Sequence, residues 1–236
     1  MSRLSYIDDN LAAVHREIAS AEKRACREGK TLMLAAVKYG EPEEIEALLA
    51  GGTLHAGENR VQQLLEHWPL FESYGTKVHF IGSLQTNKVK YIADKVQMIH
   101  SVDSLRLAAE IDKRCGQIGR VMDVLVEING AREEAKSGVM PEEAEALCRE
   151  MLKMPHLHLC GFMTMGPRFD SEQAYVSYFR SVREIGNGIW QRLSLSGEPV
   201  YSMGMSESFG AAILAGADMV RVGRRLFRHD EQSVQS

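Results

Sequence analysis

The stretch MLAAVKYGEPEEIEALLAGG, residues 33–52, decides the fold. An apolar run from Leu32 to Val37 reads as a buried strand and ends in a single lysine, Lys38. Gly40-Glu41-Pro42 is a turn signal, and EEIEALLA then repeats apolar residues at helical spacing. Gly51-Gly52 falls just past the helix end, where left-handed backbone is wanted. The unit is therefore strand, loop, helix, with a lysine at the strand's C-terminal end.

Outward from this unit the pattern repeats. Strands are expected near 31–37, 53–57, 78–82, 97–101, 121–128, 157–163, 199–203 and 218–222. Helical patterns fill 42–50, 59–67, 86–94, 103–115, 141–153, 171–192 and 206–215. Ser101 or Asp103 can start one helix, Pro141 suits a first helical position, and Gly216 closes another helix. Eight strands separated by helices predict an α/β protein, a single (β/α)8 TIM-type barrel. A doubly wound sheet also alternates, but usually with fewer strands at this length. An extra helix precedes the barrel, with Leu4, Ile7, Leu11, Val14, Ile18 and Ala21 at helical spacing. Residues 1–228 read as one domain, without linker, charge block or repeat, and HDEQSVQS (229–236) as a polar, frayed tail.

Composition agrees. The 236 residues are 44% hydrophobic and 25% charged, as in a folded soluble protein. A net charge of −4 and a pI near 6.1 argue against a general nucleic-acid binder. No apolar run approaches the roughly 18 residues that span a bilayer, and the N-terminus lacks the apolar core of a secretory signal. Cys26, Cys115, Cys148 and Cys160 are scattered without a paired spacing, which suits free thiols in a reducing cytoplasm.

Barrel enzymes place their chemistry at the C-terminal ends of the strands. Here those ends read Lys38, Glu58-Asn59, Gly82-Ser83, Ser101, Asn129, Thr164, Ser202 and Arg221 to Gly223. A lysine at such a position either snorkels to water or reacts, its amine forming an imine with an aldehyde. In SMGMSES (202–208), Gly204 permits a tight turn, and Ser206 or Ser208 can cap the next helix or help hold a phosphate. MVRVG (219–223) runs a strand into a glycine, and the loops after strands 7 and 8 often bind phosphate together. Arg221 inside an apolar strand needs an acceptor, a carboxylate or a ligand atom, because an unpaired buried guanidinium is expensive. An imine-forming lysine opposite a phosphate cradle suggests pyridoxal 5′-phosphate (PLP), with an arginine at the ring nitrogen keeping it unprotonated.

Seven segments in order resemble one family. They are LAAVKYG (34–40), HAGENRVQQLLEH (55–67, similar to FGENYVQE), HFIGSLQTNKVK (79–90, similar to HFIGxLQxNK), IHSVDSL (99–105), VEINGAREEAKSGV (126–139), GFMTM (161–165) and YSMGMSESFGAAILAGADMVRVG (201–223). Together they resemble the pyridoxal-phosphate homeostasis protein family, whose barrel is similar to the alanine racemase N-terminal domain. The resemblance implies fold type III among PLP proteins, without the racemase β-domain. It implies Lys38 as the Schiff-base lysine, with Asn59 and His79 lining the pocket and Met203 nearby. Ser206, Gly223 and the backbone of Arg224 would hold the phosphate, and Arg221 would approach the pyridine nitrogen. Arg224 and Arg225 follow Gly223 where the family has a small Ser or Thr, and Ser83 stands where proline is common.

Other residues carry less. His156, His158 and Cys160 alternate along one strand face, but no fourth metal ligand is evident, and no metal site is expected. Glu133-Glu134-Lys136 reads as a solvated loop. Three functions fit. One is a cytoplasmic carrier or buffer of PLP, a monomer without turnover that serves vitamin B6 and amino-acid homeostasis and hands cofactor to PLP-dependent apo-enzymes. The second is a PLP-dependent amino-acid racemase, which is not expected because in alanine racemase the second acid/base group comes from a separate β-domain, and this chain ends soon after strand eight. The third is a cofactor-free aldolase on a barrel.

Overall fold

The computed structural model describes residues 4–133 and 136–229. Eight parallel strands close a barrel in sequence order: β1 (Leu32–Ala36), β2 (His55–Glu58), β3 (Lys77–Phe80), β4 (Met98–Val102), β5 (Met122–Glu127), β6 (Leu157–Met163), β7 (Val200–Ser202) and β8 (Met219–Val222). β8 returns to β1 in a register running from Leu32 opposite Met219 to Ala35 opposite Val222. The expected barrel is present, each strand lying within about two residues of its sequence position.

The helices are α1 (Ser5–Ala25), α2 (Pro42–Ala50), α3 (Val61–Ser73), α4 (Leu105–Gln117), α5 (Pro141–Met151), α6 (Glu172–Arg192) and α7 (Phe209–Leu214). α1 buries the predicted stripe Ile7, Leu11, Val14, Ile18 and Ala21 and lies against α2 and α7. α2 starts with a capping box, the Glu41 N–H donating to the Glu44 carboxylate, and with Pro42 in its first turn. Ser104 and Ser171 cap α4 and α6. The α4 cap is thus Ser104, not Ser101 or Asp103; Ser101 is still within β4.

Two segments differ from their sequence reading. Residues 86–91 form a 3₁₀ helix where an α-helix was expected. Val89 and Ile92, both fully buried, are three residues apart, the spacing that eclipses on a 3₁₀ helix. α3 continues through Pro69 to Ser73, six residues past the expected end. Fully buried Phe71, beyond the proline, secures this last turn. Residues 230–236 of the expected tail lie outside the described residues, as does Glu134. His229, at the tail's start, rests on the Tyr6 ring with centroids 4.0 Å apart.

Candidate functional site

At the C-terminal mouth the chain closes tightly where β8 meets β1. A Cβ on Gly223 would lie 2.8 Å from the Ala36 carbonyl oxygen and 2.9 Å from the Tyr39 ring, so only glycine lets the two strand ends approach. The Gly223 N–H donates to Ser206 Oγ at 3.2 Å, and both are buried. Ser206 is therefore not a helix cap: α7 begins after Ser208, and the Ser206 hydroxyl faces the turn after β8. Gly204, at φ 86°, takes the left-handed turn leading to this serine. Arg224 and Arg225 point elsewhere. Arg224 Nη2 donates to Glu207 Oε1 at 2.7 Å, and Arg225 is held by Glu17 on α1. A cavity beside the turn is lined by Tyr39, Ser206, Glu207, Arg224 and Arg225.

Lys38 sits on a 3₁₀ turn, Val37–Tyr39, just beyond β1. Its side chain is exposed, with Nζ 5.0 Å from the Tyr39 ring centroid. Ala36 is paired with Gly57, and Ala35 with Val222. Lys38 therefore emerges between the end of β2, which carries Asn59, and the end of β8, which carries Gly223. Asn59 Oδ1 is buried without a hydrogen-bond partner among the described residues. Its backbone is clasped by Gly82, where a Cβ would fall 2.2 Å from the Asn59 carbonyl oxygen.

Arg221 is 4% exposed and points into the barrel. Its Nη1 donates to the Ser202 carbonyl at 2.8 Å and to Ser202 Oγ at 2.6 Å, and its Nη2 donates to the Thr164 carbonyl at 2.9 Å. Burial lowers its pKa to about 10, partly offset by the negative charge of Glu127, so the guanidinium keeps its charge at neutral pH. The acceptor that the sequence demanded is thus a serine and two carbonyls.

His79 lies deeper than the other expected pocket residues. Its Nδ1 meets His100 Nε2 at 2.9 Å and its Nε2 meets His55 Nδ1 at 3.0 Å, so both ring nitrogens are engaged within the protein. His100 Nδ1 reaches Ser202 Oγ at 3.0 Å. Strand β4 is not adjacent to β7, so this last contact crosses the barrel interior. Burial drives the His79 pKa down to about 3 and that of His100 well below the usual imidazole range, with Arg221 adding to the depression at His100. Met203 is fully buried, its N–H on the Met219 carbonyl.

The pattern of the alanine racemase N-terminal domain matches residues 10–230. A pyridoxal phosphate homeostasis protein of Aquifex aeolicus is 40% identical over 220 residues, spanning 93% of this chain and 96% of that protein. The chain belongs to the pyridoxal phosphate homeostasis protein family. A Helicobacter pylori member is 35% identical over 224 residues, 92% of this chain and 96% of its own. The structure of PipY from Synechococcus elongatus with PLP bound superposes with a TM-score of 0.82 at 25% identity, covering 94% of this chain and 100% of that one.

Sequence reasoning missed three residues of this family member's interior. His100 and Glu127 each stand near the end of a strand otherwise read as apolar. The signal was present, since His79, His100, Glu127 and Arg221 each interrupt an apolar run, but only Arg221 was weighed as buried. Glu127 accepts from Ser137 Oγ at 2.7 Å, and burial raises its pKa. The third is His67, which pairs at 2.7 Å with fully buried Glu58. The expected histidine–cysteine face is rearranged. His156 turns to Asp112, while Asp123 joins His158 and Cys160 at the opposite mouth, their donor atoms within 4.8 Å of one another. Burial pushes the Cys160 thiol up to about 12.

Proposed function

We propose that this protein binds PLP at the C-terminal mouth of its barrel and holds it through Lys38. We read it as a carrier or buffer of the cofactor and not as an enzyme acting on amino acids. The observation that carries the reading is the Ser206–Gly223 pair. It closes the strand end next to the Lys38 turn, with the Arg221 guanidinium one residue pair deeper. One mouth thus offers an amine, an anion cradle and a fixed cation. The bound PLP of PipY and the names of the curated relatives support it.

The residues present suit the group. The Ser206 hydroxyl and the Gly223 and Arg224 N–H groups would take the phosphate. Asn59 Oδ1, buried and without a partner among the described residues, would accept from the cofactor's ring hydroxyl. Met203 would floor the pocket. Bound PLP supplies an aldehyde that bonds reversibly to an amine and a ring that withdraws electrons. Lys38 Nζ would be the amine that holds it there, and a competing amine could take the place of Lys38. Arg221, a donor with no acceptor, would leave the ring nitrogen unprotonated and the ring a weak electron sink, which favours carriage over turnover. No helix among the described residues is long and apolar enough to cross a membrane. We place the protein in the cytoplasm, as a monomer passing cofactor to PLP-dependent apo-enzymes.

Borohydride reduction of the PLP-loaded protein tests this, with the modified residue located by mass spectrometry. The expected outcome is a pyridoxyl mass on Lys38 alone, an absorption band that Lys38→Ala abolishes, and tighter retention of PLP than of pyridoxal. Equal retention of the two would remove the phosphate cradle. Interconversion of D- and L-amino acids at roughly 1 s⁻¹ or faster, dependent on Lys38, would make the protein a racemase.

A further inference from the structure

Arg221 ends a continuous line of hydrogen bonds that starts at the opposite mouth. The line runs His55 Nδ1 to His79 Nε2 (3.0 Å), His79 Nδ1 to His100 Nε2 (2.9 Å), His100 Nδ1 to Ser202 Oγ (3.0 Å) and Ser202 Oγ to Arg221 Nη1 (2.6 Å). It passes through β2, β3, β4, β7 and β8. His79, His100, Ser202 and Arg221 are all buried, and His55 is half-buried.

Chemistry gives the line a direction. A guanidinium only donates, so Ser202 Oγ accepts from Arg221. The serine proton then has one place to go among the contacts described, His100 Nδ1. A neutral His100 accepting there carries its proton on Nε2 and donates to His79 Nδ1. A neutral His79 in turn carries its proton on Nε2 and donates to His55 Nδ1. Run the other way, His100 would donate to Ser202, whose own proton would be stranded without an acceptor in the barrel interior. Every bond dipole therefore turns its negative end toward the Arg221 charge. A charged imidazole in the line would face that guanidinium across one serine. Lys77 also opposes charge on His55 and His79, while Asp123 favours it on His79 and Glu127 faces Arg221.

We propose that His100 and His79 are positioning residues for PLP: by orienting Ser202 they fix the angle and charge of Arg221 where it meets the ring nitrogen. For the ring nitrogen this rests on the PLP reading above, whereas the direction of the line holds in the protein without ligand. A fixed guanidinium needs no reorganisation when cofactor binds or leaves, which suits a protein that must load and release the same group.

The test has two arms. In the first, ¹⁵N-histidine-labelled protein without cofactor is studied by long-range ¹H–¹⁵N correlation at neutral pH. His79 and His100 should both be neutral with the proton on Nε2. A proton on His100 Nδ1, or a charged ring at either position, would overturn the proposal, and this arm needs no variant to fold. In the second, PLP labelled with ¹⁵N in its ring is bound to wild type, His100→Leu and His100→Asn. His100→Leu should shift the ring-nitrogen resonance and weaken PLP retention about tenfold, the size of one charge-assisted hydrogen bond. His100→Asn, which keeps an acceptor for Ser202, should restore both. An unmoved resonance in a folded His100→Leu would overturn the proposal. Failure of wild type to bind PLP would sink the functional reading instead, leaving the first arm to judge the line.

Discussion

The two sides of the same eight strands are built from different chemistry. On the outward side Ala56, Val78, Phe80, Ile99, Val124, Val126, Phe162, Tyr201, Val220 and Val222 join one apolar cluster with the helices. On the inward side the buried apolar cluster shrinks to Met98, Leu125 and Met163. The remaining interior holds Leu34 together with His79, His100, Glu127, Ser202 and Arg221. A TIM-type barrel usually fills its interior with branched apolar layers. Here the strands take their stability from the helix-facing layer and give the interior over to holding one guanidinium. That division predicts where a substitution will cost folding and where it will cost ligand.

The largest effect belongs to the outward layer. Phe162 is fully buried, stacked on Tyr201 at 6.0 Å and edge-on to Trp190 at 6.2 Å. Phe162→Ala should lower the unfolding free energy by about 3–5 kcal/mol in urea titration, while the spectrum of bound PLP stays as in wild type. A loss under about 1 kcal/mol would break the comparison. Arg221→Met is its inward counterpart. Removing the guanidinium leaves the buried Ser202 and Thr164 carbonyls without their donor, so near pH 5 the variant should lose about 1–3 kcal/mol of stability. The ring-nitrogen environment of bound PLP should change as well. Without Arg221 the Glu127 carboxyl, already raised by burial, rises further. The folded state then binds a proton that the unfolded chain releases, so stability falls as pH climbs above the ordinary carboxyl range. The variant should show a steeper fall than wild type, extending to higher pH.

Fold and site were unequally legible. The barrel could be read because each strand alternates with a helix whose apolar spacing is local, and local patterns need no knowledge of neighbours. Lys38, Ser206, Arg221 and Gly223 were legible because they are anomalies in place: a lysine ending a strand, an arginine inside one, a serine and a glycine at turns. The histidine line was not, because its bonds join positions as far apart as His100 and Ser202, and nothing local marks a histidine as buried. Nor could the sequence decide that Ser206 faces Gly223 in preference to capping a helix, since both uses place a serine after Gly204. Helix α3 was read short for a different reason. Pro69 is a local stop signal that the burial of Phe71 overrides.

Glu58 and His67 sharpen the comparison because they are the charged exception in the outward layer. Glu58 is fully buried, with His67 Nδ1 on one carboxylate oxygen and, among the described residues, no partner on the other. The hydrogen bond to Glu58 raises the His67 pKa above its ordinary value, outweighing partial burial. The folded state thus holds the His67 proton more tightly than the unfolded chain does. The stabilisation is complete below about pH 6.5, the unfolded value, and is lost as pH rises through the folded one. His67→Gln should therefore cost about 1 kcal/mol at pH 6, with the gap to wild type closing toward pH 9. A gap that widens with pH would show that Glu58 does not hold His67 in its charged form.

The smallest stability effect should come from the residue with the largest functional one. Lys38 is exposed on its 3₁₀ turn, and its only described contact is the face of Tyr39 at 5.0 Å. An exposed cation over a tyrosine contributes about 0.5–1 kcal/mol at most, and surface substitutions usually stay within about 0.5 kcal/mol. Lys38→Ala should therefore unfold in urea within about 0.5 kcal/mol of wild type, yet lose the covalent bond to PLP altogether. Tyr39 is the control for this separation. Its ring packs against Gly223, so Tyr39→Ala should loosen the strand end and weaken PLP retention while the bond to Lys38 still forms. A Lys38→Ala protein destabilised by several kcal/mol would mean that the lysine is part of the packing. The mouth of the barrel would then not be separable from its walls.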